Sequence, residues 1–235
     1  MLFLHRSVGK SKTVVAGDCY QLGIAQNHSF RSETTQPAQQ SLMRLGIFGG
    51  SFDPVHFGHL LVADDVTKKL KLEKLLFVPA FHPPHRPAPV ANYSQRVAML
   101  KCAIRNYPQF QISRIEENQP GPSYTVNTLR RLRKIYRRTR FYLIIGYDQY
   151  RTIQSWHQPL QLAKLARLVI ISRPGITKPR IFPGHNRHRV IFLNVIPVDI
   201  AARLIRQRLA QGMSIRYLVP AAVAQYIYRY RLYVN

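Results

Sequence analysis

The chain has 235 residues, 46% of them hydrophobic, and carries a formal net charge of +25. That length and apolar share suit one ordinary globular core, and no apolar run approaches the roughly 18 residues that a membrane-crossing helix needs. Two cysteines, Cys19 and Cys102, form no disulfide or metal pattern, which points to a reducing, cytoplasmic setting.

Residues 1–42 differ from the rest, being rich in Ser, Thr, Gln and Gly, without sustained periodicity or the apolar core of a secretory signal. They read either as a disordered extension or as sequence upstream of a true start at Met43. Residues 43–235 read as a single domain. Its first element is a buried strand over 45–48, followed by Gly49 and Gly50, where the chain is expected to turn sharply. His56 and His59 flank Gly58, and a helical pattern then runs through Leu60, Leu61, Val62, Val66 and Leu70. Strand, glycine turn and helix N-terminus together make an anion site, because free N–H groups and the positive end of the helix dipole face the ligand. Two imidazoles on that rim can donate to phosphate oxygens.

A second strand spans 74–79 (KLLFVP), and the proline-rich 81–89 (FHPPHRPAP) must be loop. A helix over 93–104 opens on Asn92 as N-cap, a brief strand covers 110–112, and a helix covers 123–136 with Ser123 or Thr125 near its cap. Within the run RRLRKIYRRTR at 130–140, helical spacing turns Leu132, Ile135 and Tyr136 to a core and the arginines to solvent. No aromatic-interleaved motif accompanies them, so a nucleic-acid partner is disfavoured despite the charge. Strands follow at 141–145, ending in Gly146-Tyr147-Asp148, at 168–172, ending in Arg173-Pro174-Gly175, and at 190–193; helices over 198–211 and 220–228 close the chain. Alternating strands and helices predict an α/β fold, a Rossmann-like doubly wound parallel sheet with helices on both faces. Ligands in such sheets bind beyond the strand carboxyl ends, where every distinctive tripeptide here falls.

Neither G-x-G-x-x-G nor the P-loop pattern occurs at the first turn, which disfavours hydride transfer and P-loop kinase chemistry. His56-x-x-His59 and His82-x-x-His85 could be halves of a zinc site, but no cysteine or carboxylate stands in register with them and prolines separate the second pair.

The stretch GGSFDPVHFGH instead resembles the nucleotidyltransferase signature [ST]-F-D-P-x-H-x-G-H. From Arg44 onward the chain resembles bacterial nicotinate-nucleotide adenylyltransferases in PPHRP, the Gln95-Arg96 helix, PSYTVNTL, IIGYD with Trp156 behind it, ISRPG and SIRYLVPAAVAQYI. The resemblance implies transfer of the adenylyl group of ATP to nicotinate mononucleotide, with Mg²⁺ on the phosphates and His56 and His59 as the catalytic pair. ATP contacts are implied for Gly49, Gly50, Ser51, Phe52, His56, Gly58, His59, Gly146, Asp148, Arg173, Arg203 and Arg206. The acceptor is expected against His85, Ser123, Tyr124, Thr125, Asp148 and Trp156. No protein-borne metal site is implied, and a homo-oligomer is allowed. The chain departs from the family at 200–206, where I-S-S-T-x-I-R is common and IAARLIR stands here, and at Phe81, where Asn is frequent. The lost hydroxyls leave Arg203 as the substitute contact to triphosphate.

Overall fold

The computed structural model describes residues 42–84, 87–172 and 180–234. His85, Arg173 and residues 1–41 of the expected extension lie outside the described residues.

Among the described residues six strands form one sheet: β1 (Met43–Gly50), β2 (Lys74–Pro79), β3 (Phe110–Ile112), β4 (Thr139–Gly146), β5 (Arg167–Ser172) and β6 (Val190–Asn194). They lie in the order β3-β2-β1-β4-β5-β6, and every neighbouring pair is parallel. Because side chains alternate along a strand, each central strand supplies two cores at once. Leu45 and Ile47 of β1, Leu76 and Val78 of β2, and Phe141, Leu143 and Ile145 of β4 pack on one face. Leu75 and Phe77 of β2 and Tyr142 and Ile144 of β4 pack on the other. That two-sided burial explains why these strands read as unbroken apolar runs.

Helices α1 (Phe57–Lys69), α2 (Tyr93–Ile104), α3 (Thr125–Ile135), α4 (Tyr147–Arg151), α5 (Pro159–Leu165), α6 (Ala202–Ala210) and α7 (Ala221–Arg229) cover the sheet. Residues of α1, α2, α6 and α7 fill one core, and those of α3, α4 and α5 fill the other. The expected doubly wound α/β fold is therefore what the chain adopts. Asn92 caps α2, accepting from the Gln95 amide at 2.9 Å while Gln95 Oε1 accepts from the Asn92 amide at 3.0 Å.

Four expectations need correction. Gly49 and Gly50 do not turn the chain; both lie within β1, and the reversal falls at Phe52, whose φ is +50°. Helix α6 begins at Ala202 rather than 198, since 198–201 is irregular, with Ala201 extended and offering no side-chain cap. The short helices α4 and α5 were not foreseen, being too brief to show periodicity. Ile135 is 61% exposed instead of buried, because α3 ends there. Its neighbour Arg133 lies over the Phe141 ring, 4.0 Å from the centroid, and donates to the carbonyls of Thr139 and Leu165. One of the run's arginines is thus a packing residue.

Candidate active site

Chain order reverses between β1 and β4, so the loops leaving their carboxyl ends diverge and open a cleft of about 360 Å³. Gly49, Gly50 and Ser51, with Leu143 to Ile145 of β4, form its floor. A Cβ built on Gly49 meets nothing within 4 Å, so the backbone there is bare toward a ligand. The walls are Pro83 and Pro84 on one side and Asp148, Gln149, Thr152, Trp156 and His157 on the other. Ser123, Tyr124 and Thr125, at the head of α3, complete them.

The head of α3 is held by main-chain and hydroxyl contacts. Ser123 Oγ accepts from the amides of Phe81 (3.1 Å) and His82 (3.0 Å), joining the proline loop to the helix. Tyr124 occupies the N-cap without a side-chain cap, and the amides of Thr125 and Val126 have no backbone acceptor among the described residues. Two open N–H groups at a helix N-terminus suit a carboxylate. The Tyr124 ring stacks on His157 with centroids 4.4 Å apart. Trp156 is half-buried and Asp148 exposed, both on the cleft wall. Behind the α3 head lies Glu116, 7% exposed, whose Oε1 accepts from the Thr128 hydroxyl; burial raises its pKa.

The two histidines sit beside this cleft at the start of α1, not among its lining residues. His56 is the N-cap and its amide donates to His59 Nδ1 at 3.3 Å. A neutral His59 must therefore carry its proton on Nε2, which becomes a donor. The rings stack at 3.7 Å, and Phe52 meets His59 edge-on at 5.0 Å. His56 is 6% exposed, and desolvation lowers its pKa to about 4, so it is neutral at pH 7. Within the first turn the Phe57 amide is taken by the Leu218 carbonyl, leaving the Gly58 amide as its open donor among the described residues. A Cβ on Gly58 would sit 3.0 Å from His56 Nδ1 and 3.5 Å from the Ile200 carbonyl, which places the start of α6 against the start of α1. The segment leading into α6, which has no side-chain cap, thus meets the start of α1, where the His56 amide is already taken by the His59 side chain.

Placement of the remaining candidates is mixed. Phe52 is 2% exposed, a core residue supporting His59 rather than a surface contact. Arg206 does not reach outward: its Nη1 donates to the Asp53 carbonyl at 2.6 Å beneath the loop. Arg203 is exposed on the first turn of α6, and Gly146 ends β4. Gln149, Thr152, His157 and Glu116 line the cleft without having been singled out from sequence; only His157, adjoining Trp156, had a positional signal.

The cytidylyltransferase-like family model matches residues 47–208. A Thermomicrobium roseum protein named "Probable nicotinate-nucleotide adenylyltransferase" is 43% identical over 197 residues, covering 82% of this chain and 92% of that protein. A Thermus thermophilus protein of the same name is 43% identical over 192 residues, covering 81% of this chain and all of its own length (100%). Among solved structures, the Plasmodium falciparum nicotinic acid mononucleotide adenylyltransferase complexed with NaAD superposes with a TM-score of 0.67. It shares 19% identity and covers 81% of this chain and 97% of its own, a likeness of fold.

Proposed function

The chain belongs to the nicotinate-nucleotide adenylyltransferases, and from that premise we propose how its cleft carries the reaction. ATP and nicotinate mononucleotide give nicotinate adenine dinucleotide and pyrophosphate. The 5′-phosphate of the acceptor attacks the α-phosphorus of ATP in line, the α–β bridging bond breaks, and the electron pair leaves with pyrophosphate. A phosphate monoester is already anionic near neutral pH, so no general base is needed; positioning and charge stabilisation supply the catalysis.

The observation that supports the reading is a cleft whose acceptor wall carries two open amides at the head of α3, with the start of α1 and the segment leading into α6 beside it. On the ATP side stand the Gly58 amide, His59 Nε2–H and the head of α6. His56 acts as a neutral, buried partner that sets the His59 ring, not as a cation. Arg203, on the first turn of α6, supplies charge where hydroxyls are lost. On the acceptor side the amides of Thr125 and Val126 receive the nicotinate carboxylate, and Trp156 offers its face to the ring. No group of three or more His, Cys, Asp or Glu among the described residues is placed to hold a metal. Mg²⁺ would accompany ATP as the Mg·ATP substrate and would supply charge neutralisation at the phosphates.

Pyrophosphate release with ATP and each of nicotinate mononucleotide, nicotinamide mononucleotide and phosphopantetheine tests this. Turnover should be confined to the acid, because open amides favour a carboxylate over a carboxamide. Equal turnover of both pyridine nucleotides would refute the carboxylate site.

A further inference from the structure

Asp53 is 4% exposed and lies in the turn between the glycine floor and His56, yet it faces away from the cleft. Its Oδ1 accepts from the Ala91 amide at 3.1 Å and from the Tyr233 hydroxyl at 2.7 Å. Its Oδ2 accepts from the Val90 amide at 2.8 Å and lies 3.7 Å from Arg206 Nη1. The same turn is gripped again at Ser51, whose carbonyl accepts from the fully buried Arg96 at 2.8 Å. Phe52, between those anchors, has φ +50°, a conformation a bulky residue keeps only when its surroundings impose it.

Tyr233 reaches this carboxylate from the far end of the chain. After α7, Arg231 and Tyr233 both adopt positive φ (+48° and +64°), and Leu232 and Tyr233 are each only 9% exposed. The tail is thus folded back into the core that holds Phe52 and Val55. Burial and the adjacent carboxylate keep the phenol protonated, so it is a permanent donor.

We infer that Tyr233 is a positioning residue for the ATP half of the site: its hydroxyl fixes Asp53, and Asp53 fixes the turn that carries Ser51, His56 and Gly58 to the phosphates. The inference rests on the reading of that half as the ATP site. The acceptor half hangs on a different anchor, the contacts of Ser123 with the amides of Phe81 and His82. Loosening Asp53 should therefore weaken one substrate and not the other. When the competent loop is only partly populated, apparent affinity falls by that fraction.

The test is Tyr233→Phe, which keeps the ring and so the packing, with Tyr226→Phe on α7 as a control for loss of a phenol elsewhere. The dissociation constant of ATP should rise about tenfold, which is about 1.4 kcal/mol and the lower end for a charge-assisted hydrogen bond. KM for nicotinate mononucleotide should stay within about twofold, and Tyr226→Phe should change neither. ATP affinity unchanged in Tyr233→Phe, or both substrates weakened alike, would overturn the inference. Wild type that binds ATP but turns over no pyridine nucleotide would defeat the acceptor assignment instead, leaving the binding comparison to decide the role of Tyr233.

Discussion

Alanine at Gly58 should separate stability from activity. The residue is second in α1, where replacing glycine by alanine ordinarily gains up to about 1 kcal/mol. Its φ is not in the left-handed region, so the added methyl meets no backbone penalty. The methyl would, however, sit 3.0 Å from Nδ1 and 3.1 Å from Cε1 of His56, closer than atoms comfortably approach. The His56 ring must retreat by a few tenths of an ångström, and its 3.7 Å stack passes that movement to His59. Misplacing a catalytic group by about 1 Å costs on the order of 100-fold, so about a third of that distance costs roughly fivefold in kcat/KM. Thermal melting beside steady-state pyrophosphate release reads both quantities. The expected variant is at least as stable as wild type and several-fold slower. A destabilised protein with full activity would show that the placement of His56 does not matter.

Further outcomes follow from buried charge. His56 has its pKa lowered by desolvation to about 4, so its contribution to stability is complete above pH 6.5 and is lost as pH falls from 6.5 to about 4. At 1.36 kcal/mol per pH unit the loss approaches about 3 kcal/mol, measurable as a falling urea midpoint that His56→Gln flattens. Glu116 has its pKa raised by burial, so stability should decline as pH rises above 4.5, and Glu116→Gln should remove that decline in the same titration. Arg133→Ala should cost about 2 kcal/mol through the lost Phe141 contact and carbonyl hydrogen bonds, while Arg137→Ala on the exposed end of the run should cost almost nothing by equilibrium unfolding.

The sheet was legible because its strands are buried on both faces and read as unbroken apolar runs; KLLFVP and FYLII leave little else to choose. Helix α2 was equally open, since Asn92 stands as an N-cap ahead of its apolar face, and Gln95 three residues on closes a capping box with it. The site was legible where chemistry and strand ends coincide: the GGS floor, the SYT head of α3, and Asp148 with Trp156 all line one cleft. What stayed hidden depends on contacts distant along the chain. Glu116 stands in an irregular segment and becomes a cleft residue only because α3 folds over it. Arg206 looks like a phosphate ligand in IAARLIR, yet Asp53, 153 residues away in sequence, holds it. The bond from Tyr233 to Asp53 spans 180 residues, and no local pattern announces such a pairing. Short helices such as α4, five residues long, hold too few turns for periodicity to show.

On the proposed mechanism, adenylyl transfer depends on His59 presenting Nε2–H to the phosphates, its tautomer set by the His56 amide at 3.3 Å. Single-turnover rates of His59→Ala with ATP and nicotinate mononucleotide test it most directly. Loss of one preorganised donor should lower the chemical step by about 10²–10³-fold. A His59→Ala enzyme that turns over at the wild-type rate would contradict that role for His59.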